Sequence, residues 1–397
     1  MSILSSIIHA LMTAFAMGWE ILWALILGFL LSAAVQAVVS KKEMGKLMPD
    51  DSPRSLAIAT GLGAASSSCS YAAVALARSI FTKGANFSSA IAFEIASTNL
   101  VVELGIIMAL LLGWQFTAAE FVGGPIMIII FAFLARIFIS PAVINQARKI
   151  AERGAQGKME AHAQMDMAVA GNGSILQRLL SANGRTVTSH YYVMDWQAVY
   201  KDILIGLLIA GAAAAWIPES FWRLLFLTDH PLLATIWGPI IGPVVAILSF
   251  VCSIGNVPLA AVLWNGGISF GGIVSFIFAD LIILPIINIY RKYYGWKMTV
   301  RLTGLLYLAM VLAGYAVEGI FRLLQLIPAE RSAKVLEASV SFNYTTVLNI
   351  LFLALTVAIL IRFFKTGGKE MLAMMNPNNT MAMSDPASTD HSQHMHH

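Results

Sequence analysis

The chain has 397 residues, of which 58% are hydrophobic and only 12% charged, with a net charge of +4 and a mean hydropathy of +0.77. A soluble domain of this length carries charged residues at about twice that density, so the composition excludes an ordinary soluble fold. The small basic balance comes from short clusters between apolar runs, which are topology signals and not a nucleic-acid surface.

Taken in order, Met1 to Met17 is apolar but has no basic leader and no clear small-x-small cleavage site. It reads as a retained interfacial or short helix, not a signal peptide. Spanning candidates, apolar for about the 20 residues that cross a hydrocarbon core as helix, follow at 19–39, 86–112, 121–143, 198–218, 268–290, 302–325 and 342–364. Two further apolar stretches, 55–80 and 235–264, are interrupted by Gly, Ser, Pro and Asn. The organisation this implies is a first membrane repeat with its N-terminal helix (1–143), a cytoplasmic polar loop (144–197), a second repeat (198–325), an added C-terminal transmembrane helix (326–365) and a disordered Met/His-rich tail (366–397).

The two repeats are read from one unbroken shift of 183 residues that lays Cys69 on Cys252. It also pairs Ser70 with Ser253, Val74 with Val257, Leu76 with Leu259, Ala77 with Ala260, Gly84 with Gly267, Phe87 with Phe270, Phe93 with Phe276 and Ala96 with Ala279. These are the only two cysteines, so a disulfide framework and a Cys-x-x-Cys metal knot are both excluded.

Basic residues then choose the topology. If both interrupted stretches cross the membrane, Lys and Arg divide 12 to 13 between the two sides. If each returns to its own side as a re-entrant hairpin, they divide 21 to 4, with only Arg223, Arg322, Arg331 and Lys334 outside. The positive-inside rule selects the hairpins. Each half then makes an odd number of crossings, so the second sits upside down. The expected fold is an all-α membrane protein of two homologous inverted repeats, each with a re-entrant or broken helical hairpin. Such broken segments meet near the bilayer midplane, where irregular backbone is tolerated only in protein or against a wet cavity.

The hairpins carry the candidate substrate site. Cys69-Ser70 and Cys252-Ser253 place thiols and hydroxyls at one depth, with Asn256, Ser97 and Asn99 as further polar groups. Gly255 and Pro258 are the expected helix break of the second hairpin. Packing of helices through small residues would explain the same serines and glycine, and a buried cysteine can be a small hydrophobe. The equivalent placement of both Cys-Ser pairs favours a site.

The run Cys252-Ser-Ile-Gly255-Asn-Val-Pro258-Leu-Ala260, its echo at Cys69–Ala77 and the Gly-x-x-Phe that follows resemble the predicted permease family that includes organoarsenical efflux permeases. The resemblance covers about 20–140 and 198–325. Tyr71 and Ile254 stand where that family often has a second cysteine, and Ala72 and Ala75 stand where it has glycine and proline. The resemblance implies an inner-membrane, multi-pass permease that moves a metalloid, a metal or a small organic compound, with no cofactor expected; the count of basic residues puts its C-terminus in the cytoplasm.

Carboxylates inside spans are candidate proton carriers: Asp280, Glu103 and Glu94. Each costs about 2.5–3.5 kcal/mol at mid-bilayer, so it is expected to face a cavity or a partner. Asn99 and Glu103 share one face by their i,i+4 spacing, with Glu94 on the opposite face. A neutral carboxyl held by a hydroxyl is the structural alternative. Glu318 and Arg322, also at i,i+4, read as an ion pair near an outer helix end. Met159, His162, Met165 and Met167 of the loop, and His391, His394, His396 and His397 of the tail, are candidate soft-metal ligands.

A secondary exporter is therefore the leading function. No Gly-x-x-x-x-Gly-Lys-Ser/Thr loop is present, and an intramembrane enzyme lacks a His-Glu-x-x-His or Gly-x-Ser-x-Gly motif. A membrane sensor or scaffold built on the central loop is the third class. Expected partners are the lipid bilayer, the small-molecule or metal(loid) substrate, and either a second copy of the chain or an accessory metal-handling protein. Cysteine labelling should place residues 45 and 81, the central loop and the C-terminus in the cytoplasm, and residues 116, 226, 266 and 332 outside. Residue 81 outside would refute the hairpins.

Overall fold

The computed structural model describes residues 3–38, 47–67, 70–152, 169, 174–249, 253–331, 333 and 344–374, and all regular structure among them is helical. Helix α1 (Ile3–Val38) is continuous for 36 residues, about 54 Å at 1.5 Å per residue. The N-terminal stretch is thus the first half of one long helix and not a separate short one, because nothing between Met17 and Trp19 ends the apolar run.

Helix α2 (Pro53–Ser66) starts at a proline whose missing N–H costs nothing in the first turn. Ser52 caps it by accepting from Ser55 N. Asp50 Oδ1 accepts from the hydroxyls of Ser52 (2.6 Å) and Ser55 (2.5 Å). Those bonds hold the Asp50 carboxyl down to about 2, so it stays ionised. The helix ends at Ser67, which adopts a left-handed φ of 36°. Helix α3 (Ser70–Thr82) then leads through Gly84, φ +109°, to α4 (Phe87–Asn99), capped by Asn86.

The contacts along α4 fix the direction of this segment. Asn86 N donates to Met48 O (2.9 Å) and Ser89 Oγ to Asp50 O (2.5 Å), so the chain before α2 lies at the start of α4. Further along, Gly63 meets α4 at Phe93–Ser97, where an added Cβ would lie 2.4 Å from Phe93 O. Helix α2 therefore runs alongside α4 in the same direction, and α3 brings the chain back to the end from which α2 set out. Both ends of the interrupted stretch therefore lie at one end of α4.

Next come α5 (Val102–Leu111), α6 (Trp114–Phe138), α7 (Pro141–Glu152), α8 (Ile175–Leu180) and α9 (Ala182–Trp216). The expected polar loop 144–197 thus contains helix, and its last residues open the 35-residue α9. After α10 (Glu219–Phe226), α11 (Pro231–Ser249) and α12 (Ser253–Asn265) form the second interrupted stretch, followed by α13 (Phe270–Phe278) and a 3-10 turn, Ala279–Ile282. Gly238 abuts Ser269 and Gly242 abuts Gly272 O, so α11 runs alongside α13 as α2 does alongside α4. The last described helices are α14 (Leu284–Tyr294), α15 (Trp296–Leu323), α16 (Tyr344–Lys365) and α17 (Gly368–Met374).

The shift of 183 recurs in the backbone. Ser70–Thr82 becomes Ser253–Asn265, and Phe87–Asn99 becomes Phe270–Ile282. The caps Asn86 and Ser269 correspond, as do Gly84 and Gly267 at φ +109° and +107°. Helix α6 touches both hairpin mouths: Arg136 near its C-terminus pairs with Asp51 (2.5 Å), and Phe116 near its N-terminus packs on Trp264 and Phe270.

Two expectations need correction. The spans 86–112 and 268–290 are each broken, bending by 42° and 44°. In the first, Ser97 Oγ donates to Glu94 O, and Thr98 and Asn99 to Ile95 O. Such bonds compete with the helical ladder, and Val101 is extended. In the second, Pro285 starts α14 and biases the chain before it away from helix. Gly255 and Pro258, by contrast, lie within α12. Helix α12 begins at Ser253 and absorbs Pro258 at the cost of one backbone bond near its first turn.

Gly61 and Gly63 provide a matched test of the hairpin packing. Gly61→Ala meets nothing within 4 Å and should stabilise α2 by up to about 1 kcal/mol. Gly63→Ala should cost about 1–3 kcal/mol through overpacking against α4. Thermal unfolding in detergent measures both, and equal melting temperatures would refute the close crossing.

Candidate functional site

Ser70 and Ser253 are the first residues of α3 and α12, so their hydroxyls emerge at the inner ends of the two hairpins. The two Oγ atoms lie 3.3 Å apart. Both donate to the same oxygen, Asp280 Oδ2, at 2.7 Å from Ser70 and 2.5 Å from Ser253. Asp280 itself sits in the 3-10 turn where the second broken span changes direction. The N-termini of α3 and α12 turn their positive dipole ends towards this carboxylate, which favours negative charge there.

Around this contact lie polar atoms without partners. Asp280 Oδ1, Asn99 Oδ1 and both side-chain polar atoms of Asn256 are buried and make no hydrogen bond among the described residues. Each such atom costs about 1–3 kcal/mol unless something supplies the missing bond. Asn256 is one turn beyond Ser253, on the same face of α12. Asn99 lies beside Asp280 while its Nδ2 donates to Ile95 O (3.2 Å) and Thr98 Oγ1 (3.0 Å).

The other expected residues divide. Ser97 is buried but spends its hydroxyl on Glu94 O, 3.0 Å away in its own helix. Glu94 accepts from the Tyr290 hydroxyl, a contact between the two halves, and its Oε2 is unpartnered. Glu103 does not share a face with Asn99, because the break at Leu100–Val101 separates them. It sits in the first turn of α5, packed on α1 so closely that a Cβ at Gly28 would lie 2.2 Å from Glu103 Cβ. Glu318 and Arg322 do pair, at 2.7 Å, and Glu318 Oε2 also accepts from Gly271 N. Cys69 and Cys252, Met159, His162, Met165, Met167 and the four tail histidines lie outside the described residues. Among the described residues no three His, Cys, Asp or Glu side chains converge as a metal ion needs.

The structure adds two residues that sequence reasoning missed. Tyr290 belongs to a span in which only charged side chains drew attention. Glu120 is wholly buried, and neither of its carboxylate oxygens has a partner among the described residues. Its signal was an acid six residues into a helix that starts at Trp114, hidden because the apolar run begins only at Phe121. A cavity of about 890 Å³ opens at the mouth of the second hairpin, lined in part by Arg223, Asp229, Trp264, Phe270, Glu318 and Arg322.

Comparison with known proteins fits this arrangement of broken, apolar helices. The sequence profile described as a predicted permease matches residues 6–319. The chain is 61% identical over 338 residues to the Mycobacterium tuberculosis (strain ATCC 25618 / H37Rv) protein called "Putative permease Rv2963", covering 85% of this chain and 83% of that one. No solved structure matches. With five helices among the described residues long and apolar enough to cross a bilayer, and two more bent pairs there that also pass, the chain is an integral membrane protein that belongs to the predicted permease family.

Proposed function

We propose that this permease is a secondary exporter in the cytoplasmic membrane, coupled to protons through Asp280, for a metalloid, a metal or a small organic solute. The observation that carries the reading is the shared oxygen of Asp280, bound by Ser70 from one half and Ser253 from the other. A proton on that carboxylate removes the charge the serines bind, which loosens the joint between the hairpins. A deprotonated carboxylate draws them together. Alternating access needs such a joint, whose strength differs between two states. The unpartnered atoms of Asn256, Asn99 and Asp280 can replace part of a solute's hydration.

Inversion of the two halves is part of the same reading. Asp51 at the first mouth and Trp264 and Phe270 at the second touch opposite ends of α6, which supports hairpins entering from opposite faces. Arg148 donates to Phe81 O and Ala85 O at the first mouth. That puts part of the basic central segment there and supports a cytoplasmic placement for that mouth and for the C-terminus. Cys69 and Cys252 precede the joined serines in sequence, which supports a thiol contribution to solute binding.

Two measurements test the reading. Cells stripped of their own exporters should survive a panel of metal salts, metalloid oxyacids and organoarsenicals better with this protein. Asp280→Asn should abolish that protection while insertion and expression persist. Normal protection with unchanged pH dependence would make Asp280 structural. Separately, Ser70→Cys with Ser253→Cys, in a chain whose native cysteines are alanine, should form an intramolecular disulfide under mild oxidation. Two reactive thiols that fail to join would refute the convergence of the hairpins.

A further inference from the structure

Glu120 is the buried acid that the joint at Asp280 leaves unused. On α6 it lies one turn from Phe116 and one turn from Gly123 and Gly124, all on one face. Gly123 abuts Phe278, just before the 3-10 turn of Asp280, and Gly124 abuts Leu100, at the break of the first span. Glu120 therefore faces the place where both spans are interrupted. Both of its carboxylate oxygens are buried there without a partner among the described residues.

The elements packed against α6 bring no free base to this acid. Helix α4 carries Glu94, held by Tyr290, and α5 carries Glu103, packed on Gly28. Helix α15 carries Glu318, engaged with Arg322 and Gly271 N, and Tyr307 and Tyr315, which donate to Ile240 O and Ile236 O. Its other bases, Lys297 and Arg301, are at the opposite end of that helix.

Depth orders the acids. Glu94 lies about 10 Å, at 1.5 Å per residue, from the α4 terminus at the first mouth. Glu120 lies about 9 Å from the α6 terminus where Phe116 packs on Trp264 and Phe270, two residues that also line the cavity at the second mouth. Asp280 lies about 15 Å along its broken span from Phe270 at the second mouth, deeper than Glu120.

We propose that Glu120 is a second proton-exchanging acid, placed between Asp280 and the cavity of the second hairpin, while Glu94 with Tyr290 serves the first hairpin. The idea rests on the proton-coupled reading of Asp280. In the step, an intervening water carries the proton, because the two carboxyls make no hydrogen bond to each other: the O–H bond of protonated Asp280 breaks as one forms on the water, and the water gives up another of its protons to the Glu120 carboxylate. The negative charge passes to Asp280, and Glu120 later gives the proton to water in the cavity.

The test needs no substrate: infrared titration of the full chain in lipid nanodiscs. The native protein should show a protonated-carboxyl band at neutral pH that Glu120→Gln removes. Asp280→Asn should make the Glu120 band disappear about one pH unit earlier, as for two acids that titrate as a pair. If the Gln variant fails to fold, Glu120→Asp should keep the band at a shifted frequency. A band unaffected by any change at Glu120, or a Glu120 profile indifferent to Asp280→Asn, overturns the proposal. Coupled titration in a protein that protects no cell would refute the permease mechanism and leave the acid pair standing. Protection that depends on Asp280, without coupled titration, would refute the acid pair alone.

Discussion

One carboxylate oxygen, Asp280 Oδ2, holds the first residues of two helices that the sequence separates by 183 positions. Hydrogen bonds to a charged acceptor contribute about 1.5–3 kcal/mol each, enough to fix the inner ends of both hairpins. Apolar packing could not do this so specifically, because lipid tails compete equally well for apolar side chains. The arrangement also makes the joint conditional, since its strength follows the charge on a single atom.

The joint can exist only because other parts of the fold bring backbones unusually close. At Gly63 against Phe93 O and at Gly242 against Gly272 O, a methyl group would overlap the facing chain. These crossings set the depth to which α2 and α11 enter, and hence where Ser70 and Ser253 emerge. The breaks at Leu100–Val101 and Ile283 flank the other side of the centre, where Asp280 sits in the 3-10 turn just before the second break.

Much of this was legible in the sequence, and the limits have physical causes. The repeat, the hairpins and the pairing of Ser70 with Ser253 follow from one shift and from the distribution of Lys and Arg, both long-range patterns that survive apolar noise. The positions of the breaks did not follow. Pro258 looked like a break but is accommodated within α12, whereas Pro285 ends the preceding turn by sitting at the start of α14. A proline has the same chemistry at both places, and only its position relative to the helix start decides the outcome. Glu120 escaped because hydropathy defines a span by its apolar residues, while helix α6 begins seven residues before that run.

The correspondence between the halves has one further consequence. Backbone features repeat with little change, yet Asp280 answers to Ser97, Glu94 to Ile277 and Glu120 to Thr303. The scaffold is paired and the charge is not. In a perfectly duplicated chain, conformations that exchange the roles of the halves would have equal energy and neither would be a resting state. Here each acid belongs to one half only, so such a degeneracy is lifted by side chains, these three acids among them, within a helix pattern that recurs. Single substitutions at those side chains, more than changes to the recurring helices, are where a balance between the halves would tilt.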